Sequence, residues 1–153
     1  FIGSFKYLKM LNQLIKKLKV EDKVIIIPNA KEEIKMLLLS SAKVYLHPMK
    51  FEHFGIAVVE AMASGLVPIV HKSGGPWIDI FQKKQGLYGY AFSNVEEASQ
   101  LIDELLTNKS LRLELARRAS RRARIFDSSI FIYKMRKIIY HLESKRQCSY
   151  KHI

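Results

Sequence analysis

The sequence predicts an α/β fold, a parallel sheet flanked by helices, with a helical extension at the C-terminal end. Two observations carry that expectation. Short β-branched runs alternate with amphipathic helical stretches over residues 1–92, the pattern of βα units joined through a parallel sheet. Glycines and prolines punctuate the joins, at Pro28, Gly55, Gly65 and the Gly74-Gly75 pair, where a chain leaving a strand must turn into a helix or back out of one.

Taken in order, Phe1-Ile2-Gly3 reads as the end of a strand. Residues 7–18 place apolar side chains at 7, 8, 11, 14, 15 and 18, a helical period with lysines on the outer face. Residues 24–27 form a short β-branched run closed by Pro28 and Asn29, as a buried parallel strand would. Residues 31–41 are the next helix, with Ile34, Leu37 and Leu38 facing inward. Residues 44–46 are a strand, 48–53 the loop that leaves it, and 56–64 a helix opened by Gly55 and capped by Gly65. A strand follows over 67–70, and a turn with a last short strand over 86–92. Beyond Val95 the pattern is helical: 96–106, 111–125 and 131–142. Such a Rossmann-like sheet binds ligands outside the carboxyl ends of its strands.

The 153 residues suit one domain with a single core, and 48% hydrophobic content is ordinary for a globular chain. No apolar run approaches the roughly 20 residues of a membrane span. The start shows neither an initiator methionine nor a secretory pattern, so the chain reads as a fragment. Its single cysteine, Cys148, excludes an internal disulfide and fits a reducing, cytoplasmic setting. A formal net charge of +12 calls for polyanionic partners. Arg112, Arg117, Arg118, Arg121, Arg122 and Arg124 crowd one helical segment with Glu114 opposing them, and Lys134, Arg136, Lys137, Lys145, Arg146 and Lys151 follow. Two destinations stand open: acids on a separate domain, or an anionic membrane surface, which would seat the protein peripherally on a cytoplasmic face. Nucleic acid is not expected, because no zinc spacing, helix-turn-helix or aromatic RNA-binding pattern accompanies the charge.

The chemistry concentrates in Phe51-Glu52-His53-Phe54-Gly55-Ile56-Ala57-Val58-Val59-Glu60-Ala61-Met62-Ala63-Ser64-Gly65. Two carboxylates stand eight positions apart, Glu52 on the loop and Glu60 a little over one turn into the helix. A helix N-terminus offers unpaired N–H groups and a positive dipole end, which suit a diphosphate. An ionised Glu60 can accept hydrogen bonds from both hydroxyls of a ribose, leaving Glu52 for the other end of the ligand. The alternative is that both are ordinary solvated acids. His47, His53 and His71 are scattered and no D-x-D pair is present, so no metal or other cofactor is expected. Neither a Ser-His-Asp order nor a reactive-cysteine context points to a covalent nucleophile.

This run resembles the signature of the family 4 retaining glycosyltransferases of the two-domain GT-B fold: an acid, Phe-Gly, a second acid eight positions on, and Ala-Met-Ala-x-Gly. The Glu52-His53-Phe54-Gly55-Ile56 version, Val58-Val59-Glu60, and the stretch from Ser73-Gly74-Gly75-Pro76 to Asp79-Ile80 look most like the α-1,2-mannosyltransferases that extend dolichol-linked oligosaccharides from GDP-mannose. The resemblance covers roughly residues 1–140 and is most specific over 44–80. It implies that residues 1–142 are part of a C-terminal nucleotide-sugar-binding domain, followed by a polar basic tail over 143–153.

It further implies that Glu52 approaches the hydroxyls of the transferred sugar and that amides around Phe54, Gly55 and Ile56 hold the diphosphate. Glu60 would hold the ribose and His53 assist the leaving phosphate. Pro28 and Asn29 would lie against the base, and Ser73, Gly74 and Gly75 would let backbone approach the sugar, or else form only a flexible turn. The acceptor would be a glycan or a lipid-linked one, held by an N-terminal domain without counterpart in this sequence; an Arg and a Lys that clamp the diphosphate in the family also lack counterparts, so this chain alone is expected to be inactive. Two readings from other classes compete: a non-catalytic nucleotide-sugar module and a basic nucleic-acid-binding domain.

Overall fold

A computed structural model describes residues 5–149, with side chains through residue 144. The expected strand end at Phe1-Ile2-Gly3 lies outside the described residues, as does Lys151; the side chains of Lys145, Arg146 and Cys148 are likewise not described. The chain forms two compact units, Phe1–Lys35 and Met36–Ile153.

In the first unit, α1 (Phe5–Leu18) realises the apolar period expected of it, with Leu8, Leu11 and Ile15 its less exposed positions. Residues 24–27 do not form a strand. A β-strand exists only through a partner that accepts its backbone hydrogen bonds, and this run has no ladder among the described residues; Ile25 is 84% exposed. Pro28 and Asn29 therefore sit in a turn rather than at a strand end, Asn29 in the left-handed region at φ 52°.

α2 (Glu32–Ser41) spans the boundary between the units and buries no residue; Ile34, Leu37 and Leu38, expected inward, are exposed. A helix hides an apolar stripe only where another element covers it.

The second unit holds the sheet. Its strands β1 (Val44–His47), β2 (Val67–His71) and β3 (Tyr90–Phe92) run parallel in the order β1-β2-β3, with Val44 opposite Val67 and Ile69 opposite Tyr90. β2 is central and buried from Val67 through Val70, which is why Leu66-Val67-Pro68-Ile69-Val70 is continuously apolar rather than alternating. Its residues feed two cores. Val70 joins Val58, Val59 and Met62 of α3 (Ile56–Ala63), Ile80, Phe81, and Ala119 and Ala123 of α5 (Lys109–Ala123). Val67 and Ile69 join Phe92, Leu115, and Ala98 and Leu105 of α4 (Val95–Thr107). The small Ala119 and Ala123 let α5 lie close over α3, while Asn94 and Asn108 cap the starts of α4 and α5 by accepting from Glu97 N–H at 2.8 Å and Leu111 N–H at 3.0 Å.

A 3-10 turn, Arg124–Phe126, then leads into α6 (Ser128–Ser149). That helix carries many exposed apolar side chains, among them Phe131, Ile138 and Tyr140. No helix among the described residues is long and apolar enough to cross a membrane.

Candidate functional site

The site is built where β1 ends and α3 begins. Along β1 side chains alternate, so Tyr45 and His47 share a face, and Tyr45 packs on the core that contains Val58, Val59 and Met62. The chain leaves β1 through a loop with Phe51 at φ 55° and Gly55 at φ 90°. Only glycine suits position 55, since its φ is left-handed and a Cβ there would lie 2.8 Å from Pro76 Cγ. As the N-cap of α3, Gly55 has no side chain to turn inward, and the Val58 and Val59 amides both donate to its carbonyl, at 2.9 and 3.3 Å. The helix geometry thus leaves the Ile56 and Ala57 amides, the first two of α3, without an intrahelical acceptor. At the far end Gly65 (φ 85°) closes α3 as expected: its N–H donates to Met62 O at 3.1 Å and Leu66 N–H to Ala61 O at 3.0 Å, the paired bonds of a Schellman cap.

Ser73, Gly74 and Gly75 form no flexible turn. The Gly75 amide donates to Glu52 O at 2.7 Å and the Phe51 amide to Ser73 Oγ at 3.0 Å. A Cβ at Gly74 would stand 2.3 Å from Glu52 O, and one at Gly75 would stand 2.1 Å from His53 O. The backbone these glycines admit is therefore that of Glu52 and His53, and their packing fixes where Glu52 sits. Ser73 Oγ is also 2.8 Å from His71 Nδ1, tying the lock to the end of β2.

After the glycines the chain forms a π-helical turn, Pro76–Ile80. Arg122 reaches it from α5, donating through Nε to Ile80 O at 3.0 Å and through Nη2 to Asp79 O at 2.8 Å. Its guanidinium lies over the rings of Tyr88 (5.4 Å) and Phe126 (5.1 Å), and Phe126 in turn meets Phe54 edge-on at 5.4 Å. Arg122 is thus not one of a row of equivalent surface charges. Arg112 is similarly committed, donating to the Leu105 and Leu106 carbonyls near the end of α4, and Arg118 pairs with Glu114.

The two carboxylates converge on Tyr45. Burial first, then the negative charges of Glu60 and Glu52, push its phenol above its ordinary value. Glu52 accepts the His53 amide on Oε1 at 2.9 Å, while Oε2 lies 3.7 Å from His47 Nε2. Glu60, half-buried, lines an open cleft of about 340 Å³ with Ala63, Ser120, Arg124 and Phe126. His53 is exposed and Phe54 sits at the surface beside Phe126. In the first unit, Pro28 lines a hollow of about 380 Å³ with Leu8, Asn12 and Ile15. Sequence reasoning brought together Glu52, Gly55 and Glu60 but missed Tyr45, His47 and Arg122. Alternation along β1 was the available signal for the first two.

Residues 1–125 match the family described as glycosyl transferases group 1. The chain belongs to that family. Group 1 relatives include a Dictyostelium discoideum GDP-Man:Man(3)GlcNAc(2)-PP-Dol alpha-1,2-mannosyltransferase, 34% identical over 86% of this chain and 26% of the relative. The human protein of the same name is 40% identical over 54% of this chain and 18% of its own length. The group 1 chain thus spans about a quarter or less of these curated relatives. Among solved structures, Anabaena HepE in complex with UDP-glucose superposes with a TM-score of 0.80 at 22% identity, covering 92% of this chain and 38% of that one. The C-terminal domain of the Francisella tularensis group 1 glycosyl transferase LpcC gives 0.65 at 20% identity, covering 80% and 63%. The fold is that of the C-terminal domain of a GT-B glycosyltransferase, as the sequence resemblance implied.

Proposed function

We propose that this group 1 chain is the donor-binding part of a retaining mannosyltransferase, which moves mannose from GDP-mannose to a lipid-linked or other glycan acceptor. The observation that carries the reading is the uncapped N-terminus of α3 at the carboxyl end of β1, flanked by Glu52 and Glu60. Amides at Phe54, Gly55 and Ile56 take the diphosphate, with the helix dipole favouring its charge. Glu60 holds the ribose. Glu52 meets the sugar hydroxyls, and because the Gly74–Gly75 lock fixes its backbone, it does so with little reorganisation as charge develops at the anomeric carbon.

Retention through front-face attack, with the acceptor hydroxyl leaning on the departing phosphate, requires no protein nucleophile, and the reading asks for no metal. Support for mannose and guanine comes from the relatives, whose names specify GDP-mannose donors and dolichol-linked acceptors. We place the protein at the cytoplasmic face of a membrane, with exposed arginines of α5 toward anionic lipid.

The test is a thermal-shift panel of GDP-, UDP- and ADP-sugars on the full-length protein, since a ligand bound only by the folded state raises the melting temperature. GDP-mannose should give the largest shift. A larger shift with a UDP- or ADP-sugar would refute the donor assignment, and binding without transfer to any lipid-linked acceptor would favour a non-catalytic nucleotide-sugar module.

A further inference from the structure

His47 closes β1 with an imidazole that the site does not otherwise use. Its side chain is 13% exposed, and Nε2 is shut off from water with no hydrogen-bond partner among the described residues. A buried polar nitrogen left in that state is costly, so its placement calls for a physical reason. Its ring stacks with Tyr45 at a centroid separation of 6.2 Å, and β1 pairing sets His47 opposite Val70, so the surroundings hold it in place. The polar group it faces is Glu52 Oε2, 3.7 Å away, beyond hydrogen-bond length but within ion-pair reach. Among the described residues the Glu52 carboxylate accepts one hydrogen bond, from the His53 amide on Oε1. Glu52 is therefore fixed at its backbone, by the Gly75 amide, and at Oε1, while Oε2 stands 3.7 Å from His47 Nε2, short of a hydrogen bond.

We propose that His47 is a positioning residue for Glu52: its Nε2–H closes onto Oε2 when the donor sugar engages the carboxylate, and so sets the carboxylate plane for the sugar hydroxyls. The inference rests on the assignment of Glu52 to the sugar under the function proposed above. Nε2 then gains the partner it lacks, and the carboxylate is held in one orientation toward the sugar hydroxyls.

The test is a double-mutant cycle in the full-length protein with GDP-mannose as donor and GDP as a sugarless probe. His47→Phe keeps the ring and removes the donor N–H; His47→Gln restores an N–H at a similar reach. His47→Phe should lower kcat about ten- to hundredfold, the factor that a charge-assisted hydrogen bond is worth. GDP affinity should stay within about twofold, and His47→Gln should recover part of the turnover. Combined with Glu52→Ala, His47→Phe should cost nothing more. Independent, multiplying defects would overturn the inference while leaving the role of Glu52 intact. A fall in GDP affinity parallel to kcat would overturn it too, placing His47 on the diphosphate. Wild-type turnover in Glu52→Ala alone would refute the functional reading itself, and with it the need for a positioning residue. If His47→Phe does not fold, His47→Asn, which keeps an N–H but shortens its reach, runs the same cycle and must fall below His47→Gln in turnover; equal turnover of the two amides would sink the proposal.

Discussion

Replacing Arg122 by Gln should destabilise the second unit far more than replacing its neighbour Arg121, although both belong to the same arginine-rich helix. Arg122 donates to two carbonyls of the π-helical turn and lies between Tyr88 and Phe126. Hydrogen bonds from a charged donor are worth about 1.5–3 kcal/mol and an exposed cation–π contact about 0.5–1 kcal/mol. The Asp79 contact is exposed and these terms are not additive, so we take about 2–3 kcal/mol for the whole contact set, about the worth of one such hydrogen bond and below the sum of the four contacts. For a unit of this size that corresponds to a melting point lowered by roughly 8–12 °C. Arg121, exposed and without such contacts, should stay within about 0.5 kcal/mol of wild type.

The consequence reaches the site. Phe126 holds Phe54 edge-on, and the turn that Arg122 secures follows directly on the glycines that lock Glu52. Arg122→Gln should therefore also weaken GDP-mannose binding, measured by calorimetry below the melting transition. Arg122→Lys should recover little, because a single ammonium cannot reproduce the planar fork that serves two carbonyls. Equal melting points for the Arg121 and Arg122 variants, with unchanged donor affinity, would refute the reasoning.

Glu60→Ala should weaken donor binding by about 1.5–3 kcal/mol, read by calorimetry on the full-length protein; undiminished affinity would remove the ribose role. The Tyr45 phenol is held above its ordinary value, so the folded state binds that proton more tightly than the unfolded chain does. Its contribution is therefore full below the unfolded pKa of about 10 and is lost as pH rises through the folded value; Tyr45→Phe should flatten the alkaline limb of a melting-point profile above about pH 10, and an identical limb would contradict the shift. If the exposed charges seat the protein on a membrane, Arg117→Gln, Arg121→Gln and Arg124→Gln together should reduce binding to phosphatidylserine vesicles, as should added salt, since the Debye length is about 8 Å at physiological ionic strength. Unaltered vesicle binding in the triple variant would move the membrane contact elsewhere.

What could be read from the sequence was the chemistry that local residues dictate. Gly55 and Gly65 were legible because a left-handed φ at each end of a short helix leaves few choices of residue, and Glu52 and Glu60 because their spacing straddles that helix start. The failures share a cause, for each depended on what another segment supplies. Residues 24–27 have the composition of a strand, yet a strand is made by its neighbour's hydrogen bonds, and none pairs with them among the described residues.

At Gly74 and Gly75 the atoms 2.1 to 2.3 Å from an added Cβ belong to residues 52 and 53, some twenty positions earlier, a contact that no local pattern announces. Arg122 looked like its neighbours because only the carbonyls of Asp79 and Ile80, more than forty positions away, distinguish it. A charge-dense helix is therefore poorly described by its net charge. Along α5 and the turn after it the arginines divide by reach: Arg112 and Arg122 fold inward onto backbone oxygens, Arg118 meets Glu114, and Arg117 and Arg121 of α5 and Arg124 of the turn remain exposed. A variant that neutralised Arg122 along with the exposed set would lose stability and vesicle binding together, and would mistake a structural clamp for a membrane contact.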